Sequence, residues 1–154
     1  MTPRSVVHAS FTINRHWKAS PERVFQAFAD QKKKDAWFGG GDEWEPVGGR
    51  SFDFRVGGRE RESGRFKKSG VVSSFDCVYL DIVENERIIY SYTMHLDDRK
   101  ISVSQACIEL RPEAGGTRFI LTEYGDYLDG YDDKGSREHG TNALMDALEK
   151  TLEA

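Results

Sequence analysis

The stretch that decides the fold is Ser136-Arg137-Glu138-His139-Gly140-Thr141-Asn142-Ala143-Leu144-Met145-Asp146-Ala147-Leu148-Glu149-Lys150-Thr151-Leu152. Thr141, Leu144, Met145, Leu148 and Leu152 recur at helical spacing and fall on one stripe, with Arg137 at its N-terminal end. Ser136 is placed to cap this helix. A single apolar stripe must be buried against another element. Most of the chain between the short helices near its start and this one reads as strands, so the partner is a sheet. A twisted antiparallel sheet curls, and its concave face needs a cover. One helix covers only part of it, which leaves either a cavity or a core filled by large side chains.

Upstream, the strand signals follow one another with short turns, the pattern of an antiparallel meander. Val6 to Trp17 reads as the first strand, and Ser20-Pro21-Glu22 as a helix start with Ser as N-cap and Pro in the first turn. Val24, Phe25 and Phe28 share a face of that helix, which fades near Asp30. A second short helix spans about Gln31 to Trp37 and stops at Gly39-Gly40-Gly41. Lys32-Lys33-Lys34 reads as a solvated helix end. Arg50 to Val56 alternates as a strand, and charged Arg59 to Gly70 reads as a loop or ragged hairpin. Val71 to Val83, Arg87 to His95, Ile101 to Arg111 and Thr117 to Tyr124 read as strands. Gly125 to Gly135 reads as an acidic loop. The fold class expected is α+β: one curved sheet of six to seven strands, two short helices and one long closing helix, in a single domain over residues 1–154.

With 22 basic and 26 acidic residues the net charge is −4. That balance argues against a nucleic-acid or membrane-surface binder, and neither partner is expected. No apolar run approaches membrane-spanning length and no leader pattern opens the chain, so the cytoplasm is the expected compartment. Cys77 and Cys107 read as reduced packing residues. The glycine pairs fit no phosphate-binding fingerprint, the four histidines show no ligand spacing, and the Asp126–Asp133 run lacks EF-hand spacing. No cofactor and no metal are expected.

The concave face supplies the candidate site. Its expected walls are Trp37, Phe38 and Trp44 from the segment after the second helix, then Phe52, Phe54, Phe75 and Tyr79. Tyr90, Tyr92 and Met94 follow along the next strand, then Phe119 and Leu121, with Thr141, Met145 and Leu148 from the closing helix. Period 2 puts Glu123 on the face of Phe119 and Leu121. There it is either a buried carboxylate needing a partner, with Arg137 the candidate, or a strand end in water. Small residues at Ser102, Ser104 and Ala106 leave room if the even positions of their strand face inward. Such a wall, apolar with a few polar anchors, suits a small hydrophobic ligand. Outward Val103 and Ile89 make homodimerisation a second expectation.

Ordered motifs along nearly the whole chain add a resemblance. Ser20-Pro21-Glu22-Arg23-Val24-Phe25, Trp37 and Gly48-Gly49-Arg50-Ser51-Phe52 come first. Glu86-Arg87-Ile88-Ile89-Tyr90-Ser91-Tyr92 and Gly116-Thr117-Arg118-Phe119-Ile120-Leu121-Thr122-Glu123 follow, then Glu138-His139-Gly140-Thr141, Leu144 and Leu148. Together they resemble the family related to the C-terminal domain of the activator of Hsp90 ATPase, within the START-like (Bet v 1-like) superfamily of helix-grip folds. The resemblance implies a helix-grip fold with a hydrophobic cavity between helix and sheet. Because some members of that superfamily are cyclases or dehydratases of polyketide-like substrates, it also implies an alternative in which Glu123 is an acid or base and a tyrosine polarises a carbonyl. One departure is Glu84-Asn85, where many relatives carry Pro-Pro. The extra N-terminal domain of the eukaryotic co-chaperone is not expected beside this one, nor is an Hsp90 partnership.

Overall fold

The computed structural model describes residues 3–39 and 41–153. Gly40, inside the glycine run expected to stop the second helix, lies outside them, as do the first two residues and the last. Chain order is β1 (Val6–Trp17), α1 (Pro21–Ala29), α2 (Gln31–Asp35), β2 (Trp44–Pro46), β3 (Ser51–Phe52), β4 (Arg59–Phe66), β5 (Val72–Val83), β6 (Arg87–Leu96), β7 (Arg99–Glu113), β8 (Gly116–Leu128) and α3 (Lys134–Glu153). The described strands form one eight-stranded sheet in the order β1-β8-β7-β6-β5-β4-β2, with β3 also on β4. Every pairing is antiparallel. This is the α+β helix-grip architecture, with two short edge strands beyond the meander. No described helix is long and apolar enough to cross a membrane.

Local chemistry accounts for the helix ends. The Ser20 hydroxyl accepts from the Arg23 amide at 3.2 Å, and Pro21 opens α1 where no amide is needed. The closing helix starts earlier than Ser136, because Asp133 is its cap: its carboxylate accepts from the Ser136 amide at 2.8 Å. The acidic stretch before it is strand as far as Leu128, and its carboxylates are committed: Asp126 to His8, Asp129 to Arg4, Asp132 to Arg137 and Asp133 to the cap. At the β5–β6 turn Asn85 takes φ 64°, a left-handed conformation that asparagine tolerates and proline cannot reach. A proline at position 85 could not adopt this turn.

Two segments differ from expectation. Arg50–Val56 pairs only at Ser51–Phe52, since the chain folds back on itself through Asp53–Gly58; the Gly58 amide donates to the Arg55 carbonyl at 2.7 Å. Arg59–Phe66, expected to be a loop, is a full strand against β5. Its apolar content is low because its inward positions carry Glu60 and Glu62.

The core lies between the sheet and the helices, and α1 buries Val24, Phe25, Ala27 and Phe28 there. Phe119 stacks on Trp17 at 4.6 Å between ring centroids and faces Phe28 at 6.1 Å. The C-terminal half of α3 is pinned over this core: Met145, Leu148 and Leu152 are buried, Trp17 Nε1 donates to Glu149 at 2.6 Å, and Arg15 donates to Asp146 at 2.8 Å. The N-terminal half, from Arg137 to Leu144, overhangs a gap above the sheet and is held there by polar contacts, Arg137 to β6 and β7 and Asn142 to Arg15 of β1, with Leu144 reaching the core. That difference between the two halves positions the site.

Candidate functional site

Beneath the overhanging half of α3 lies an open cleft of ≈ 670 Å³. Its floor is the inner face of β5, β6 and β8, its roof is α3, and its mouth lies between the end of α2 and β2. The even positions of β7 do face inward, and Ser102, Ser104, Ala106 and Ile108 are all buried. Register explains the space. Tyr92 lies opposite Ser104, which lies opposite Gly125, so two small residues follow a large one across the sheet. Tyr92 reaches over them diagonally, and Arg137 descends from α3 into the gap.

These side chains form one polar hub. The Tyr92 hydroxyl donates to Glu123 Oε2 at 2.8 Å and accepts from Arg137 Nη1 at 3.0 Å. Arg137 also donates to Ser104 at 3.3 Å, Ser102 at 2.7 Å and Asp132 at 2.8 Å. Its guanidinium is 3.8 Å from the Glu123 carboxylate. Glu123 is 2 % exposed, so it is the buried carboxylate of the two readings its strand position allowed. Burial pushes its pKa up, and the Tyr92 hydrogen bond and the Arg137 charge pull only part of the way back. Burial and the neighbouring carboxylate raise the Tyr92 hydroxyl far above its ordinary value, so it stays a donor.

A second cluster lies at the α2 end. Glu60 is wholly buried and accepts from Lys34 Nζ at 2.6 Å, from Arg50 Nη1 at 2.7 Å and from the Tyr79 hydroxyl. Arg50 reaches on to Asp35 at 2.6 Å. Burial alone would raise the Glu60 pKa; the Lys34 ammonium and the three donors reverse it, and the carboxyl sits below its ordinary value. Glu62, one inward step along β4, faces Arg50 at 3.9 Å, and burial raises its pKa. Lys34 and Glu62 line the cleft, while Glu60 lies behind it.

Residues 18–153 match the family described as activator of Hsp90 ATPase homolog 1-like protein. The chain belongs to this family. A solved Rhizobium leguminosarum protein is 41% identical over 99% of both chains, with a TM-score of 0.92. One from Rhizobium loti is 40% identical, covering 95% of this chain and 98% of its own, with a TM-score of 0.86. An activator of Hsp90 ATPase homolog 1-like protein from Aeromonas hydrophila shares the fold at 18% identity and a TM-score of 0.67, covering 94% of this chain and 92% of its own. No curated protein matches the chain.

In this family member the fold sorts the expected wall residues into two groups. Trp37, Phe38 and Trp44 line the cleft near its mouth; Phe75, Tyr90, Tyr92, Met94 and Leu121 line its floor. Thr141 and Met145 face it from α3, and Glu123 and Arg137 close the far end. The remaining five do not line it. Phe119 and Leu148 are fully buried under the pinned half of α3, where no space is left. Phe52 and Phe54 stack on each other at 6.1 Å beside Phe25, and Tyr79 packs against Phe54 with its hydroxyl on Glu60. The C-terminal half of α3 covers Phe119, whereas Phe25 of α1 and the Glu60 cluster hold Phe52, Phe54 and Tyr79 away from the cleft.

The Lys34–Glu60 pair is what the sequence reading missed. Lys34 is a 6 % exposed residue, not part of a solvated helix end. One signal was present: Arg59-Glu60-Arg61-Glu62 alternates charge at period 2, which suits a strand with one sign on each face. Cys77 lies beside Glu60 in register, and burial pushes its thiol up to about 12, which makes it a packing residue.

Proposed function

We propose that the protein binds a small apolar or aromatic molecule in the cleft between α3 and the sheet. The observation that supports this most is the cleft itself: ≈ 670 Å³ of space walled by Trp37, Phe38, Phe75, Leu121 and Met145, with a few converging polar groups. Ligand sites commonly occupy roughly 300–1,000 Å³ and have this mixture of wall and anchor. The N-terminal half of α3 is held to the sheet by polar side chains, Arg137 over β6 and β7 and Arg15 of β1 on Asn142, which leaves the space beneath it open.

Native mass spectrometry of freshly purified protein tests the reading, followed by denaturing analysis of anything released. A co-purifying small molecule that leaves on denaturation is the expected result. A clean mass, together with no uptake of a neutral fluorescent apolar probe, would remove it.

Glu123 supports a second reading, acid–base chemistry on a molecule held in the cleft. A buried carboxyl with a raised pKa beside a tyrosine donor is the arrangement such chemistry uses. Turnover with a pH dependence that disappears in Glu123→Gln separates this from binding alone.

A further inference from the structure

The ionised side chains around the cleft are unequal in number and in availability. Lys34 and Arg137 are its basic lining residues; Glu43, Glu62, Glu123 and Asp132 are its acidic ones. Both cations are already paired with carboxylates, Lys34 with Glu60 and Arg137 with Asp132. A guanidinium has four terminal N–H groups, and those of Arg137 go to Tyr92 and Ser104 from Nη1 and to Ser102 and Asp132 from Nη2. The Lys34 ammonium is held by Glu60 at 2.6 Å and lies 4.6 Å from the centre of the Phe38 ring. The Tyr92 hydroxyl already donates its hydrogen bond to Glu123. An anion entering the cleft therefore meets an acidic excess, with the terminal N–H groups of Arg137 and the Tyr92 hydroxyl hydrogen already committed.

The acceptors are not spent. Glu123 has a side chain 3% exposed, and among the described residues its donor is Tyr92 at Oε2. Oε1 is left to the cleft. A nearly buried carboxylate with an open oxygen is costly unless something with a proton or a charge meets it. The Arg137 charge nearby is offset by Asp132 at 2.8 Å. The rings of Phe75, Tyr90 and Tyr92 line the same space; Lys34 already lies 5.8 Å from the Phe75 centroid and the Arg137 guanidinium 5.5 Å from that of Tyr92, which leaves Tyr90 as the ring without a cation of the protein over it among the described residues.

We infer that the ligand is a hydrophobic ammonium, an apolar body carrying a protonated amine, with the amine on Glu123 Oε1 and the body along the aromatic floor. The inference rests on the ligand-binding reading and adds the sign of the ligand's charge. It makes the cleft selective against fatty acids and other apolar carboxylates, which would otherwise fit its volume.

A matched series tests it on the full chain at pH 7: 2-naphthylmethylamine, 2-naphthylmethanol and 2-naphthoate, each displacing the neutral probe N-phenyl-1-naphthylamine. The amine should bind at least about tenfold tighter than the alcohol, the least that a charge-assisted hydrogen bond to a buried carboxylate gives. The carboxylate should be the weakest of the three. In Glu123→Gln the amine's advantage over the alcohol should vanish while the alcohol still binds. A carboxylate equal to the amine, or an amine preference intact in Glu123→Gln, overturns the inference. If that variant does not fold, the wild-type ranking decides alone. Alcohol binding without amine preference removes only this inference; no uptake of the probe or of any of the three removes the ligand-binding reading as well.

Discussion

Replacing Lys34 by Met tests the buried charge cluster that holds α2 to the sheet. Lys34 is 6 % exposed and Glu60 is 0 % exposed, so the variant leaves a carboxylate in the interior with its nearest cation removed. Breaking a buried pair from one side costs about 3–5 kcal/mol. Arg50 remains on the other carboxylate oxygen at 2.7 Å and Tyr79 still donates, which places Lys34→Met near the lower end, about 3 kcal/mol. Glu60→Leu should cost more, because it strands Lys34 and Arg50 together. The double variant Lys34→Met/Glu60→Leu should cost less than the sum, with a coupling of about 2–3 kcal/mol. Urea unfolding at pH 7 reads these values, and a loss of about 3 kcal/mol moves the midpoint by about 1–3 M. A Lys34→Met loss below about 1 kcal/mol, or strict additivity in the cycle, would refute the reasoning, since either means that water already solvates the pair.

Stability should peak on the acid side of neutral. Glu123 and Glu62 have raised folded-state pKa values, so stability increases as pH falls through them toward 4.5; the Glu60 value is lowered, so its contribution is lost as pH falls below 4.5. Thermal unfolding from pH 8 to pH 3 checks this, and a monotonic fall with decreasing pH would contradict it. Gly116→Ala should destabilise by at least about 2 kcal/mol, because a Cβ there would sit 2.0 Å from the Trp17 carbonyl oxygen and force β1 and β8 apart. Gly140→Ala should stabilise by about 0.5–1 kcal/mol, since its Cβ meets nothing within 4 Å on an exposed turn of α3. Asp133→Ala should cost about 1 kcal/mol by removing the cap of the same helix, while Ser136→Ala should cost less; equal losses would contradict the assignment of the cap.

Much of the fold is legible along the chain because its signals are local. Val6–Trp17 alternates and is β1; Ser20-Pro21 caps and opens α1; Val72–Val83 and Arg87–Leu96 carry their inward aromatics at period 2. Phe75, Tyr90, Tyr92 and Leu121 are assigned to the concave face by parity alone, and the cleft lies there. Strands are harder to see where the inward face is charged. Arg59–Phe66 has the period of a strand without its apolar residues, because Glu60 and Glu62 face Lys34 and Arg50 and no apolar core.

What the sequence by itself determined is therefore most of the elements, their order and which side chains of most strands face inward, since these depend on neighbours a few residues apart; β2 and β4 were not among them. The tertiary structure alone decided which inward residues are core and which line space. Phe119 and Leu121 are adjacent positions of one face, yet Phe119 is sealed under the pinned half of α3 and Leu121 borders the cleft. It alone paired Lys34 with Glu60, 26 residues away, and brought Arg137 to Tyr92 across 45. The physical reason is the same in each case: burial and pairing of a charge depend on the tilt of a helix over a sheet, and that tilt is set by contacts between segments far apart in the chain.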